Sequence, residues 1–274
     1  MIDTLSTYLG YDFVRNALMA GSLAALLGAV VGYFVIIRNV AFAAHALSHI
    51  GFAGAAAAAL LGLYPLQGML LFTIGAGAFM GISGDKLNRS DMAIGMVLSL
   101  SLGLGALFLS FYRGYAGEAQ AILFGDILGV SFGQVVEMAV LSVLCFAGLA
   151  FFARRLLFAS VQPDLAEARG LSLAGLAVAF MVILAIAVSL ASQVVGVLLT
   201  FALVIAPAGI ALRLCRTFWS GMIVSILLGL VVVWAGILLA CLTDRPPTFW
   251  ITALFFVLYL AVEGYVRFFT RADR

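Results

Sequence analysis

Charge is scarce in this chain. Of its 274 residues only 9% are Asp, Glu, Lys or Arg, 65% are hydrophobic, and the mean hydropathy is +1.24. A soluble domain carries about a quarter charged residues, so this chain has too little polar surface to cover a core in water. Neither sign of charge dominates: 14 basic against 12 acidic residues leave a formal net charge of +2. There is no basic run and no interleaving of basic with aromatic residues, which excludes a nucleic-acid partner. Cysteine is sparse too. Cys145, Cys215 and Cys241 are far apart in apolar stretches with no CxxC pair, so they read as small hydrophobes rather than a disulfide or zinc framework. No GxxxxGK[ST] stretch offers a phosphate cradle, which excludes ATP chemistry of the chain's own. No HExxH is present, which argues against an intramembrane zinc protease.

Long apolar runs are abundant. They fall at about 13–37, 40–63, 66–83, 91–112, 132–153, 172–191, 194–212, 217–241 and 249–268. A straight span needs roughly 20 residues, and the third and seventh runs are short for that, so eight to nine transmembrane segments are expected. The fold class is all-α, a polytopic membrane helix bundle, with residues 1–274 forming a single transmembrane domain. The N-terminal stretch has no basic n-region, and its apolar run continues past signal-peptide length; it is expected to lead into the first span. Glycine and alanine recur within the runs, as in "GAAAAALLG" and "TIGAGAFMG", and small residues let membrane helices approach closely.

Basic residues orient the bundle. With the junctions numbered alternately, one side collects Arg38, Lys86, Arg89, Arg154, Arg155, Arg169, Arg213, Arg216, Arg267, Arg271 and Arg274. The other side holds Arg15, Arg113 and Arg245, so the 14 divide as 11 against 3. The positive-inside rule places the larger set in the cytoplasm. Nine spans then put the N-terminus outside and the C-terminus inside.

The only two histidines, His45 and His49, lie in "HALSHIGFAG" within the second apolar run. At about 1.5 Å per residue, His49 is roughly 13 Å into a hydrocarbon core about 30 Å thick. Residues i and i+4 share a helix face, and neutral imidazole is a good ligand for zinc and related ions. The pair therefore reads as a metal site, with Ser48 as a polar neighbour. The competing reading is two packing histidines, but ionisable groups inside membrane spans are costly and usually functional. Two ligands are too few for a closed structural zinc site, and a site that lets its ion go is what transport requires.

Two further stretches stand out. In "RRLLFASVQPDLAEARGLS" a span is expected to end at Arg154 and Arg155, and a short cytoplasmic helix to follow. Pro163 starts it, Asp164 and Glu167 lie in it, Arg169 closes it and Gly170 stops it. It is either an ordinary connector or a knob for a soluble partner. In "SQVVGVLLTFALVIAPAGIALRL", Pro207, flanked by Gly196 and Gly209, marks a helix expected to be broken. Asp126, Glu137 and Glu263 are expected to be solvated or interfacial, with Glu137 a candidate for the external mouth.

These stretches, together with "LFGDILGVS" at 123–131, resemble the permease subunits of the zinc/manganese class of bacterial ABC importers. The resemblance spans almost the whole chain. It implies a type II ABC importer-like channel in the bacterial cytoplasmic (inner) membrane, built as a homodimer or as a heterodimer with a close relative. Two cytoplasmic ABC ATPase subunits dock on such a channel, an extracytoplasmic metal-binding protein delivers the ion, and lipid surrounds it. The short cytoplasmic helix, about Gln162–Gly170, would be the coupling helix, carrying Pro163, Asp164, Glu167 and Gly170. The motif in the second span carries metal ligands onto His45 and His49. No cofactor is expected to be permanently bound; the metal is cargo. One departure bears on which metal. The family motif commonly reads Asp-Ala-Leu-Ser-His, and His45 here replaces the carboxylate. Imidazole suits zinc better than manganese, so zinc is favoured, with manganese or iron as alternatives. The rival readings are a stand-alone secondary transporter, which would want midplane carboxylates, and a membrane enzyme with a His-bound metal, which would want a third ligand.

Overall fold

The structure is a computed structural model that describes residues 10–83, 91–112 and 123–272. Among these residues, ten α-helices follow one another. They are α1 (Asp12–Ile37), α2 (Ala41–Leu60), α3 (Pro65–Ser83), α4 (Asp91–Phe111), α5 (Phe132–Val161), α6 (Pro163–Ala168), α7 (Leu173–Val195), α8 (Val197–Leu214), α9 (Phe218–Thr243) and α10 (Pro247–Ala272). A 3-10 turn, Ile127–Gly129, precedes α5. All but α6 are long and apolar enough to cross a membrane. The short third and seventh runs are each a separate helix, of 19 and 18 residues. Lys86, Arg89, Arg113 and Arg274 lie outside the described residues.

Local chemistry sets the boundaries. Asn39 turns the chain between α1 and α2 with φ +56°, a conformation Asn tolerates better than most side chains. Ser131 and Gln134 form a capping box at the start of α5. Ser172 accepts from the Gly175 N–H at 3.1 Å to open α7.

α1 packs against α5, α7, α8 and α9, while α2 packs against α3 and α4. Small residues make the contacts close. A Cβ on Gly54 of α2 would run into the Gly68 carbonyl of α3, and one on Gly28 of α1 would lie 3.0 Å from the Leu203 carbonyl of α8. In α2, 78% of the most apolar window is buried inside the protein, against 11% in α10. Lipid would cover α10, and protein encloses α2.

Two boundaries differ from expectation. α5 does not end at Arg154 and Arg155 but continues to Val161. Nothing in "LLFASV" breaks a helix, and the stop comes at Gln162–Pro163, where proline disfavours a helical residue before it. The helix expected to break at Pro207 does not: Pro207 lies inside α8, and the turn between the sixth and seventh runs, expected at 192–193, falls at Gly196 (φ +85°). Only glycine takes that backbone without strain, and a Cβ there would also meet the backbone of Phe124. Pro207 removes the donor for the Leu203 carbonyl one turn earlier, and Gly28 lets α1 pass close by that carbonyl.

Candidate functional site

α2 brings His45 and His49 together in its first half. Their ring centroids are 4.7 Å apart and nearly perpendicular, at 88°. His49 is 6% exposed and His45 is half-buried. The Nδ1 atoms of both are buried with no hydrogen-bond partner. Ser48 does not join them: its hydroxyl donates to the Ala44 carbonyl of its own helix at 3.3 Å. His45 also meets Phe201 of α8, at 5.1 Å and 74°, and Phe42 one turn earlier on α2, at 6.5 Å. Phe42, Leu198 and Phe201 are exposed on the surface of the chain, so His45 lies beside an exposed apolar surface where α2 meets α8. Among the described residues no three His, Cys, Asp or Glu side chains come together as a metal cluster.

The sequence marks the histidine pair by spacing alone. It gives no sign of Phe201, which only the packing of α8 on α2 delivers.

At the end of the bundle away from Arg38, a cavity of about 860 Å³ is lined by Met69, Asp126, Gln134, Glu137, Ser192 and Gln193, among others. Glu137 thus lines this cavity, as does Asp126, whose carboxylate also caps the 3-10 turn by accepting from the Gly129 N–H at 3.0 Å. Glu263 is not simply solvated. It pairs with Arg213 of α8 and with Arg267 of its own helix, the latter at 2.8 Å.

α6 follows α5 directly, with Gln162 capping both. Pro163 is its first residue, Asp164 and Glu167 are exposed on it, and Gly170 leaves it with φ +78°. Ala166 is buried, whereas Leu165 is 45% exposed. Beside this junction Arg38, at the α1–α2 turn, donates to the Ser160 hydroxyl at 3.4 Å and lies 5.2 Å over the Phe180 ring. Burial holds its guanidinium below the ordinary arginine range.

The sequence profile of the ABC 3 transport family matches residues 10–264. This chain belongs to that family. The manganese transport system membrane protein MntC of Listeria innocua is 30% identical over 202 residues, 73% of this chain and 72% of its own. The high-affinity zinc uptake system membrane protein ZnuB of Haemophilus influenzae is 26% identical over 254 residues, 91% and 97% of the two chains. The solved structure of PsaBC from Streptococcus pneumoniae in complex with Fab superposes with TM-score 0.86 at 26% identity, covering 96% of this chain and 95% of that one. As a member of the ABC 3 transport family, the chain is a multi-pass membrane permease of an ABC metal transporter and not itself an enzyme. Relatives with manganese in their names and relatives with zinc in theirs are similar to it to much the same degree, so the names do not choose the metal.

Proposed function

We propose that this permease imports zinc in preference to manganese or iron, and that His45 and His49 are ligands on the path. The observation that carries the reading is the imidazole pair, one turn apart in the first half of α2, with both Nδ1 atoms buried and unpartnered. A buried polar atom without a partner costs about 1–3 kcal/mol, and a divalent ion shedding its water at that depth would offset the cost. Two nitrogens suit zinc better than manganese.

The half-buried His45 beside the exposed Phe42 and Phe201 supports a path shared with a second permease, identical or closely related, whose side chains would complete the coordination. The exposed α6, with Pro163, Asp164, Glu167 and Gly170, is the proposed coupling helix for the cytoplasmic ABC ATPase subunits. The cavity at the opposite end is the proposed receiving surface for an ion brought by an extracytoplasmic metal-binding protein. The proposed location is the bacterial inner membrane with the C-terminus in the cytoplasm.

The test is uptake of zinc and of manganese by the assembled transporter at matched membrane levels. His49→Ala is expected to reduce zinc uptake to background. His45→Asp is expected to keep uptake and shift preference toward manganese, because it restores an oxygen ligand. Wild-type zinc uptake by His49→Ala would return both histidines to packing.

A further inference from the structure

We propose that Phe201 is the positioning residue for the His45 imidazole and sets how firmly His45 holds its ion. This rests on the reading of the two histidines as ligands. A metal-ligating histidine ordinarily donates its second N–H to a carboxylate, a carbonyl or water, which fixes the ring and raises its basicity. In the reading above the ion takes the buried Nδ1 atoms; among the described residues the remaining Nε2 of neither ring makes a hydrogen bond, and the nearest hydroxyl along the helix, Ser48, is committed to the Ala44 carbonyl.

Ring contacts must therefore orient His45. Three rings touch it: His49 at 4.7 Å, Phe201 at 5.1 Å and Phe42 at 6.5 Å. His49 and Phe42 ride on the same helix and move with it. Phe201 belongs to α8, and it is the contact that references His45 to the rest of the bundle. An edge-to-face pair is comparable in strength to a net hydrogen bond, so it can fix the ring. It adds no negative charge, so it does not raise the basicity of the imidazole as a carboxylate would.

The turn that carries Phe201 is tied to its neighbours by hydrogen bonds and close packing. The Thr200 hydroxyl donates to the Gly196 carbonyl at 2.7 Å. Its single proton is thereby used, so it accepts from Ser192 of α7, at 2.8 Å. Gly28 and Gly32 of α1 hold the middle of α8 in backbone contact at Leu203 and Val204. α8 thus presents the ring from a fixed platform.

The experiment measures the zinc dependence of uptake by the whole transporter carrying Phe201→Leu, Phe201→Tyr, His45→Asp and the Phe201→Leu/His45→Asp pair. Phe201→Leu keeps an apolar side chain and loses the ring. It is expected to raise the zinc concentration for half-maximal uptake roughly tenfold, the low end of the loss seen when an outer-shell partner of a ligand is removed, with little change in the maximal rate. Phe201→Tyr keeps the ring and restores wild-type behaviour. In the His45→Asp background, Phe201→Leu has no further effect, since an aspartate there has no ring to orient. An equal loss in both backgrounds would overturn the proposal and make Phe201 a support for α8 alone, as would an unchanged zinc dependence in Phe201→Leu. Either result with His49→Ala inactive removes only the role of Phe201. Wild-type uptake by His49→Ala removes the ligand reading beneath it.

Discussion

Glycine decides how close α1 and α8 can come. A Cβ on Gly32 would collide with the Val204 carbonyl, which is backbone and cannot rotate away. Gly32→Ala is therefore expected to separate the two helices and destabilise the bundle by about 1–3 kcal/mol, the usual cost of overpacking. Gly75 of α3 is the control, because a Cβ there meets nothing within 4 Å. Gly75→Ala should be neutral or slightly stabilising, since alanine is the better helix former. Thermal unfolding of the solubilised protein checks both, and equal behaviour of the two variants would remove the role given to Gly32. At this scale the histidine pair was legible, because i,i+4 spacing is a local property. The mate of Gly32 was not, because which backbone lies against it depends on the packing of helices remote in sequence.

The helix boundaries show which signals act locally and which do not. Gly170 was read as a stop and is one, with φ +78°. Gly170→Pro cannot adopt that φ, so it should abolish ATP-driven uptake while the permease still inserts and assembles. Uptake and ATPase activity measured on the same proteoliposomes check this, and full coupled transport would dismiss α6 as the contact. The end of α5 was misplaced because charge marks where a chain leaves the membrane, not where its helix stops. Arg154 and Arg155 leave the backbone of α5 unaffected, and only Gln162–Pro163 ends it. The helix expected to break at Pro207 is continuous. Proline advertises a missing hydrogen bond, but close packing on α1 tolerates it inside α8, and the turn expected between the sixth and seventh runs falls at Gly196, whose signal is a backbone angle.

For the whole molecule, composition was enough to give the class, and the nine long apolar helices among the described residues agree with the upper of the two expected numbers. Composition reaches that far because a bilayer requires every span to satisfy its own backbone. The way the helices pack was not legible, since Gly- and Ala-rich runs can pair in many ways. Orientation remains a prediction from charge. A reporter active only in the cytoplasm, fused after Arg274, should be active, and one fused in the 62–64 loop should be silent; the reverse pattern would invert the assignment. The length of α5 has a mechanical consequence. Its 30 residues form one unbroken rod, with Glu137 on the cavity wall near one end and Pro163 immediately beyond the other. Its buried residues run from Val135 to Leu156, so the protein holds the rod along most of its length. From Glu137 to Val161 is about 36 Å at 1.5 Å per residue. If α6 is the contact for the ATPase subunits, a push on it would reach the cavity wall through the α5 backbone alone, with no intermediate part needed to carry it.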